Sequence, residues 1–152
     1  MAKLYFRYGA MNSGKSTALM QVAHNYEEQG MRVLILKPKV DTKGSGDLVS
    51  RLGVRRPADL LVPPDMDLVE AVRAASSEGR PLACVLCDES QFLTAEQAEQ
   101  LFMVTVELNI PVICSLSGLG RKLAGTHRGS VHLRCLHPPL SMRGIKQFVN
   151  SK

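Results

Sequence analysis

Gly9-Ala10-Met11-Asn12-Ser13-Gly14-Lys15-Ser16 is the stretch on which the fold turns. It follows the pattern Gly, four residues, Gly-Lys and Ser or Thr, which is the spacing of a loop that cradles phosphate. Gly9 and Gly14 allow a tight turn with positive φ and close backbone approach to a ligand. Successive N–H groups in such a turn point into one concavity, which suits an anion. Lys15 supplies a point charge for the outer phosphates, and the Ser16 hydroxyl is an oxygen ligand for Mg²⁺. The flanks agree with this reading. Leu4 to Tyr8 is rich in aromatic residues and reads as a strand. Thr17 to Gln29 places Leu19, Val22, Ala23 and Tyr26 on one face, with Gly30 as a stop, and reads as a helix.

Further along, Met31 to Lys37 reads as a buried strand ended by Pro38. Lys39 to Gly53 is polar and contains glycine, which predicts a mobile loop. Its Asp41, Lys43 and Arg51 could fold over phosphates, although their spacing favours solvated loop charges. Asp59 to Val62 suggests a short strand. Pro63-Pro64 breaks it, and Asp65 is the expected N-cap of a helix from Met66 to about Ser77. Leu82 to Cys87 is a continuous apolar run, as expected of a central parallel strand covered on both faces. Thr94 and Gln97 form a capping box for a helix to about Leu108, which Asn109 ends, and Ile110 to Cys114 reads as another buried strand. Strands alternating with helices predict an α/β fold of the P-loop NTPase kind, a parallel sheet flanked by helices with right-handed crossovers.

The 152 residues suffice for one domain with a core. No apolar run reaches the ~18 residues needed to span a bilayer, so no membrane partner is expected. Four cysteines without a secretory signal point to reduced thiols and a cytoplasmic location. The net charge of +5 is unevenly placed. Residues 115–152 hold seven basic residues and no acidic one. The remaining 12 basic and 14 acidic residues leave 1–114 at −2. The predicted division is therefore a nucleotide-binding core over 1–114 and an irregular basic tail over 115–152, with a short strand at Val131 to Leu136 and a weak helical signal in the last dozen residues.

An apolar strand that ends in an acidic residue downstream of a phosphate loop is the second half of a nucleotide site. Asp88 would hold Mg²⁺, usually through water. Glu89 could act as general base toward an attacking hydroxyl or water. Cys84 and Cys87 spell Cys-x-x-Cys, but residues three apart on a strand point to opposite faces and cannot share one ion, so core packing is expected. His127, His132, Cys135 and His137 have loose ligand spacing without an accompanying Cys-x-x-Cys, which gives little support for zinc. His24 is expected on the surface.

Taken together, Tyr8 to Thr17, Leu36-Lys37-Pro38 followed by Asp41, Ser50-Arg51, and Cys87-Asp88-Glu89-Ser90-Gln91-Phe92-Leu93 resemble the P-loop thymidine kinases, the cellular, tetramer-forming class. The resemblance covers about Met1 to Cys114. It implies a transferase that uses ATP and Mg²⁺ to phosphorylate the 5′-hydroxyl of thymidine, within a homotetramer. By the same resemblance Glu89 is the proton acceptor. Gly9, Ala10, Met11, Asn12, Ser13, Gly14, Lys15 and Ser16 with Asp88, Glu89, Ser90 and Gln91 bind ATP, and Met11 and Phe92 lie near the thymine ring. In that family a second domain follows the core, with a zinc site of two cysteine pairs and a long loop that closes over thymidine. Residues 115–152 show neither, so thymidine is expected to be poorly enclosed and activity impaired. The abrupt change after Cys114 reads as a frame-shifted, mis-spliced or truncated end joined to an ordinary core. Two other readings are a different P-loop ATPase in which Glu89 activates water, and a non-catalytic nucleotide-binding module whose basic tail holds nucleic acid. The near absence of aromatic residues in that tail makes a nucleic-acid partner unlikely.

Overall fold

A computed structural model describes residues 2–9, 14–39, 46–50, 52–117 and 145–149, with the backbone alone at 8–9, 117 and 145–149. In chain order the elements are β1 (Leu4–Gly9), α1 (Lys15–Glu28), β2 (Arg32–Pro38), β3 (Asp47–Val49), β4 (Arg55–Pro57), β5 (Leu60–Val62), α2 (Leu68–Ser77), β6 (Leu82–Cys87), α3 (Ala95–Glu107), β7 (Val112–Ser117) and β8 (Ile145–Val149), with a 3₁₀ turn at Ser90–Phe92. Six strands form one sheet in the order β5-β2-β6-β7-β1-β8, and every pairing in it is parallel. The expected α/β architecture is therefore present.

Strand periodicity explains the layers. Side chains alternate across a sheet, and the apolar runs are buried on both sides. Val33, Ile35, Cys84 and Leu86 pack with Leu19 and Ala23 of α1. Their neighbours Leu34, Leu36, Val85 and Cys87 pack with Leu68 and Val72 of α2 and Ala98, Leu101 and Val104 of α3. Helix α1 thus covers one face, and the α2–α3 pair covers the other. Cys84 and Cys87 fall on opposite faces, as the spacing required, and both thiols are buried and unbridged. Burial pushes the Cys84 thiol up to about 12.

The helix ends follow from local chemistry. Thr94 Oγ1 accepts from Gln97 N at 3.1 Å and Gln97 Oε1 accepts from Thr94 N at 3.2 Å, which closes the expected capping box. Asn109 leaves α3 with φ 53, and Gly30 takes φ 73 after α1. His24 lies exposed on α1.

Several expectations need correction. The segment predicted as a mobile loop, Lys39 to Gly53, carries β3, which pairs antiparallel with β4 just beyond it. Leu48 buries against α1, Lys37 Nζ donates to the Asp47 carbonyl at 2.7 Å, and Arg56 pairs with Glu27 of α1. These tertiary anchors override a polar local sequence. Asp41, Lys43 and Arg51 lie outside the described residues. Helix α2 is capped by Asp67 and not by Asp65: Asp67 Oδ1 accepts from Glu70 N at 3.1 Å, while Asp65 lies in the turn before it. Pro38 is the last residue of β2 and not its terminator. Strand β7 continues to Ser117, past the apolar run that ended at Cys114. Where the last dozen residues carried a weak helical signal, 145–149 pair with β1 as a strand. An open sheet edge offers a row of backbone partners that a faint helical period does not outweigh. The short strand expected at Val131 to Leu136 and the His127, His132, Cys135, His137 cluster lie outside the described residues.

Candidate active site

Parallel pairing brings the carboxyl ends of all the central strands to one edge of the sheet. The connection from β1 to β2 leaves toward the β5 edge, and that from β6 to β7 toward the β8 edge. Ligands of open α/β sheets bind outside the carboxyl ends of the strands.

Gly9 ends β1, paired with Ser117. Residues Ala10, Met11, Asn12 and Ser13 lie outside the described residues. The chain is described again at Gly14, which caps α1 in the left-handed region with φ 82. Among the described residues nothing lies within 4 Å of the space a Cβ would take there, and the left-handed φ itself favours glycine. Among the described residues no side chain caps α1, and its first turn has no acidic residue. The positive end of the helix dipole lies at this end, where an anion is favoured.

Lys15 opens α1 and is only 7% exposed. Burial pushes its ammonium group below the ordinary lysine range, while the charges of Asp88 and Glu89 act in the opposite sense. A cation held in a desolvated place beside two carboxylates is poised for anionic ligands.

Asp88 follows β6 directly and is 3% exposed. Its backbone N–H donates to the Leu36 carbonyl at 3.0 Å, which fixes its place against β2. Its carboxylate accepts from two hydroxyls: Ser16 Oγ to Oδ2 at 3.0 Å and Ser115 Oγ to Oδ1 at 2.6 Å. The first bond ties the helix after the phosphate loop to the acidic strand end, although β7 stands between β1 and β6. Glu89 has φ 49, a left-handed conformation that costs a non-glycine residue energy and is characteristic of functional sites. Ser90 is buried, and its hydroxyl donates to the Ser115 carbonyl at 2.8 Å. Gln91 is half-buried, and Phe92 is 47% exposed beside the carboxylates.

The structure thus brings Lys15, Ser16, Asp88 and Glu89 together at one end of the sheet. Sequence reasoning missed Ser115. Only strand register reveals it: Cys87 and Cys114 are paired, so the next residues, Asp88 and Ser115, sit side by side on the α1 face. A carboxylate and a hydroxyl are hard oxygen donors suited to Mg²⁺, which binds through one or two protein ligands and substrate phosphates. Among the described residues no three His, Cys, Asp or Glu side chains gather as a cage. Asp88 with Ser16 fits an ion whose remaining ligands come from a nucleotide and water.

The family model for thymidine kinase matches residues 2–126. The chain belongs to the thymidine kinase family. A thymidine kinase of Salmonella typhimurium is 48% identical over 115 residues, spanning 75% of this chain and 55% of the relative. One from Xanthomonas axonopodis pv. citri is 50% identical over 115 residues, spanning 75% and 54%. One from Shewanella oneidensis is 44% identical over 115 residues, spanning 75% and 59%. The chain spans about half the length of the curated relatives it matches. No helix among the described residues is long and apolar enough to cross a membrane.

Proposed function

We propose that this thymidine kinase family chain transfers the γ-phosphoryl group of ATP to the 5′-hydroxyl of thymidine, giving dTMP. The observation that carries the reading is the Ser16–Asp88 hydrogen bond of 3.0 Å, which joins the phosphate-loop helix to the acidic strand end and gathers Lys15 and Glu89 with them. Gly9 to Ser16 hold the triphosphate through backbone N–H groups and the Lys15 charge, supported by the uncapped start of α1. Ser16 and Asp88 would hold Mg²⁺, which would supply charge neutralisation to the phosphates. Glu89 accepts the proton of the thymidine hydroxyl. Its left-handed backbone aims a carboxylate from a fixed position next to Asp88. Ser90 serves this site from within the protein, through its bond to Ser115, and Gln91 continues the nucleotide segment. Met11 and Phe92 flank the thymine ring, and the exposure of Phe92 leaves its face available to a base.

The remaining expectations belong to the same proposal. The kinase core comprises residues 1–114 together with the end of β7, where Ser115 bonds to Asp88, and a basic stretch follows it. The sequence from 115 onward holds one cysteine, Cys135, and not two pairs, so zinc is not assigned. Assembly as a homotetramer rests on the family resemblance, and a cytoplasmic location on the reduced thiols expected from the cysteine usage.

Formation of dTMP from ATP and thymidine, measured beside phosphate release without thymidine, tests the reading. Thymidine-dependent consumption of ATP supports it. Phosphate release indifferent to thymidine would replace the kinase with an ATPase in which Glu89 activates water.

A further inference from the structure

Asp88 has two hydroxyl partners, and only one belongs to the phosphate-loop helix. The other, Ser115, stands on β7, the strand that separates β1 from β6. Its side chain faces the α1 side of the sheet, opposite to Cys114 and Leu116, which pack with α2 and α3. Ser115 is 1% exposed. A buried hydroxyl is costly unless it is hydrogen-bonded, and this one is satisfied by the carboxylate at 2.6 Å, within the range of a charge-assisted bond. The Ser115 carbonyl in turn accepts from Ser90 Oγ at 2.8 Å, so β7 is tied to the segment that follows Glu89.

We propose that Ser115 is a positioning residue for the cation–nucleotide site: it fixes Asp88 Oδ1 from β7 and thereby holds Oδ2 toward the Ser16 hydroxyl at the start of α1. This rests on the nucleotide-site reading above. A carboxylate at the end of a strand can rotate about its own side-chain bonds. Two hydroxyls from different elements, one on each oxygen, leave it a single orientation. Partners of this kind orient metal ligands without touching the metal.

The test uses the full chain and a fluorescent ATP analogue, titrated once with Mg²⁺ and once with EDTA. For Ser115→Ala the gain in affinity that Mg²⁺ confers falls about tenfold, the lower end for loss of such a partner, while the affinity in EDTA stays that of the wild type. Ser115→Thr, which keeps the hydroxyl, restores the gain. An unchanged gain in Ser115→Ala overturns the proposal, and so does an equal loss with and without Mg²⁺, which marks a merely structural role. Should Ser115→Ala not melt cooperatively, Ser115→Cys, close in shape but a weak donor, carries the same test and must also lose most of the gain. A wild-type chain whose ATP affinity is indifferent to Mg²⁺ overturns the nucleotide-site reading and this inference with it. A responsive wild type beside an equally responsive Ser115→Ala overturns this inference alone.

Discussion

The first turns of α1 and α3 are built on opposite plans. Helix α3 begins with a closed capping box in which Thr94 and Gln97 satisfy each other's backbone N–H groups. Helix α2 follows the same plan more simply, with Asp67 accepting from Glu70 N. Helix α1 begins at Gly14 with φ 82, no side-chain cap among the described residues, and a buried lysine in place of an acidic residue. A side-chain cap stabilises a protein by about 1 kcal/mol, and α1 forgoes it. The helix end that gives up internal satisfaction is the one next to Asp88 and Glu89. Stability is placed in α2 and α3, and binding capacity in α1.

The largest effect that bears on this contrast is expected at Glu89. Changing Glu89→Gln removes the proposed proton acceptor without altering shape, and dTMP formation should fall by about 10²–10⁴-fold while ATP titration shows binding retained. Robust turnover in that variant would remove Glu89 from the chemistry.

Lys15→Met sharpens the contrast from the other side. It should abolish the rise in melting temperature that ATP produces, yet raise the melting temperature of the nucleotide-free chain. Burial lowers the Lys15 pKa in the folded state, so the folded chain binds fewer protons than the unfolded one between that lowered value and the ordinary 10.5. The penalty is fully present below the lowered pKa and fades as pH rises toward 10.5. The advantage of Lys15→Met in melting experiments should shrink over that same window. An advantage that grows with pH would contradict the assignment.

Thr94→Ala should do the reverse of Lys15→Met. It should cost about 1 kcal/mol of stability, roughly 2–4 °C in melting temperature for a chain of this size, with ATP affinity unchanged. A loss of ATP affinity equal to that of Lys15→Met would erase the distinction between the two helix ends.

The smallest effect is expected where the β3–β4 hairpin meets α1. Arg56 holds the Glu27 carboxyl below its ordinary value, chiefly by hydrogen bonding. Both side chains are partly exposed, which limits the pair to less than about 1 kcal/mol. The contribution is present above pH 4.5 and is lost as pH falls through the lowered pKa of Glu27. Arg56→Met and the wild type should therefore converge in acid melts.

Local chemistry determined how much of this was legible in the sequence. The phosphate loop, the apolar run Leu82 to Cys87 ending in Asp88, and the Thr94–Gln97 box each act within a few residues, and the fold class follows from them. The alternation that separates Cys84 from Cys87 was equally plain. What escaped depends on distant partners. The β3–β4 hairpin looks like a polar loop because its anchors, Leu48 against α1, Lys37 to Asp47 and Arg56 to Glu27, come from other elements. Asp65 and Asp67 are equally good caps by composition, and only the turn after Pro63-Pro64 decides between them. Ser115 sat just past an apolar run and looked like the start of an irregular tail. Strand register makes it the neighbour of Asp88.

Backbone amide chemical shifts, followed while ATP and Mg²⁺ are titrated into the chain, test the contrast between the helix ends most directly. Large shifts at Lys15 and Ser16, with the amides of Ala95 to Gln97 unmoved, are the predicted result. Silent amides at the start of α1, or shifts of equal size at the start of α3, would contradict it.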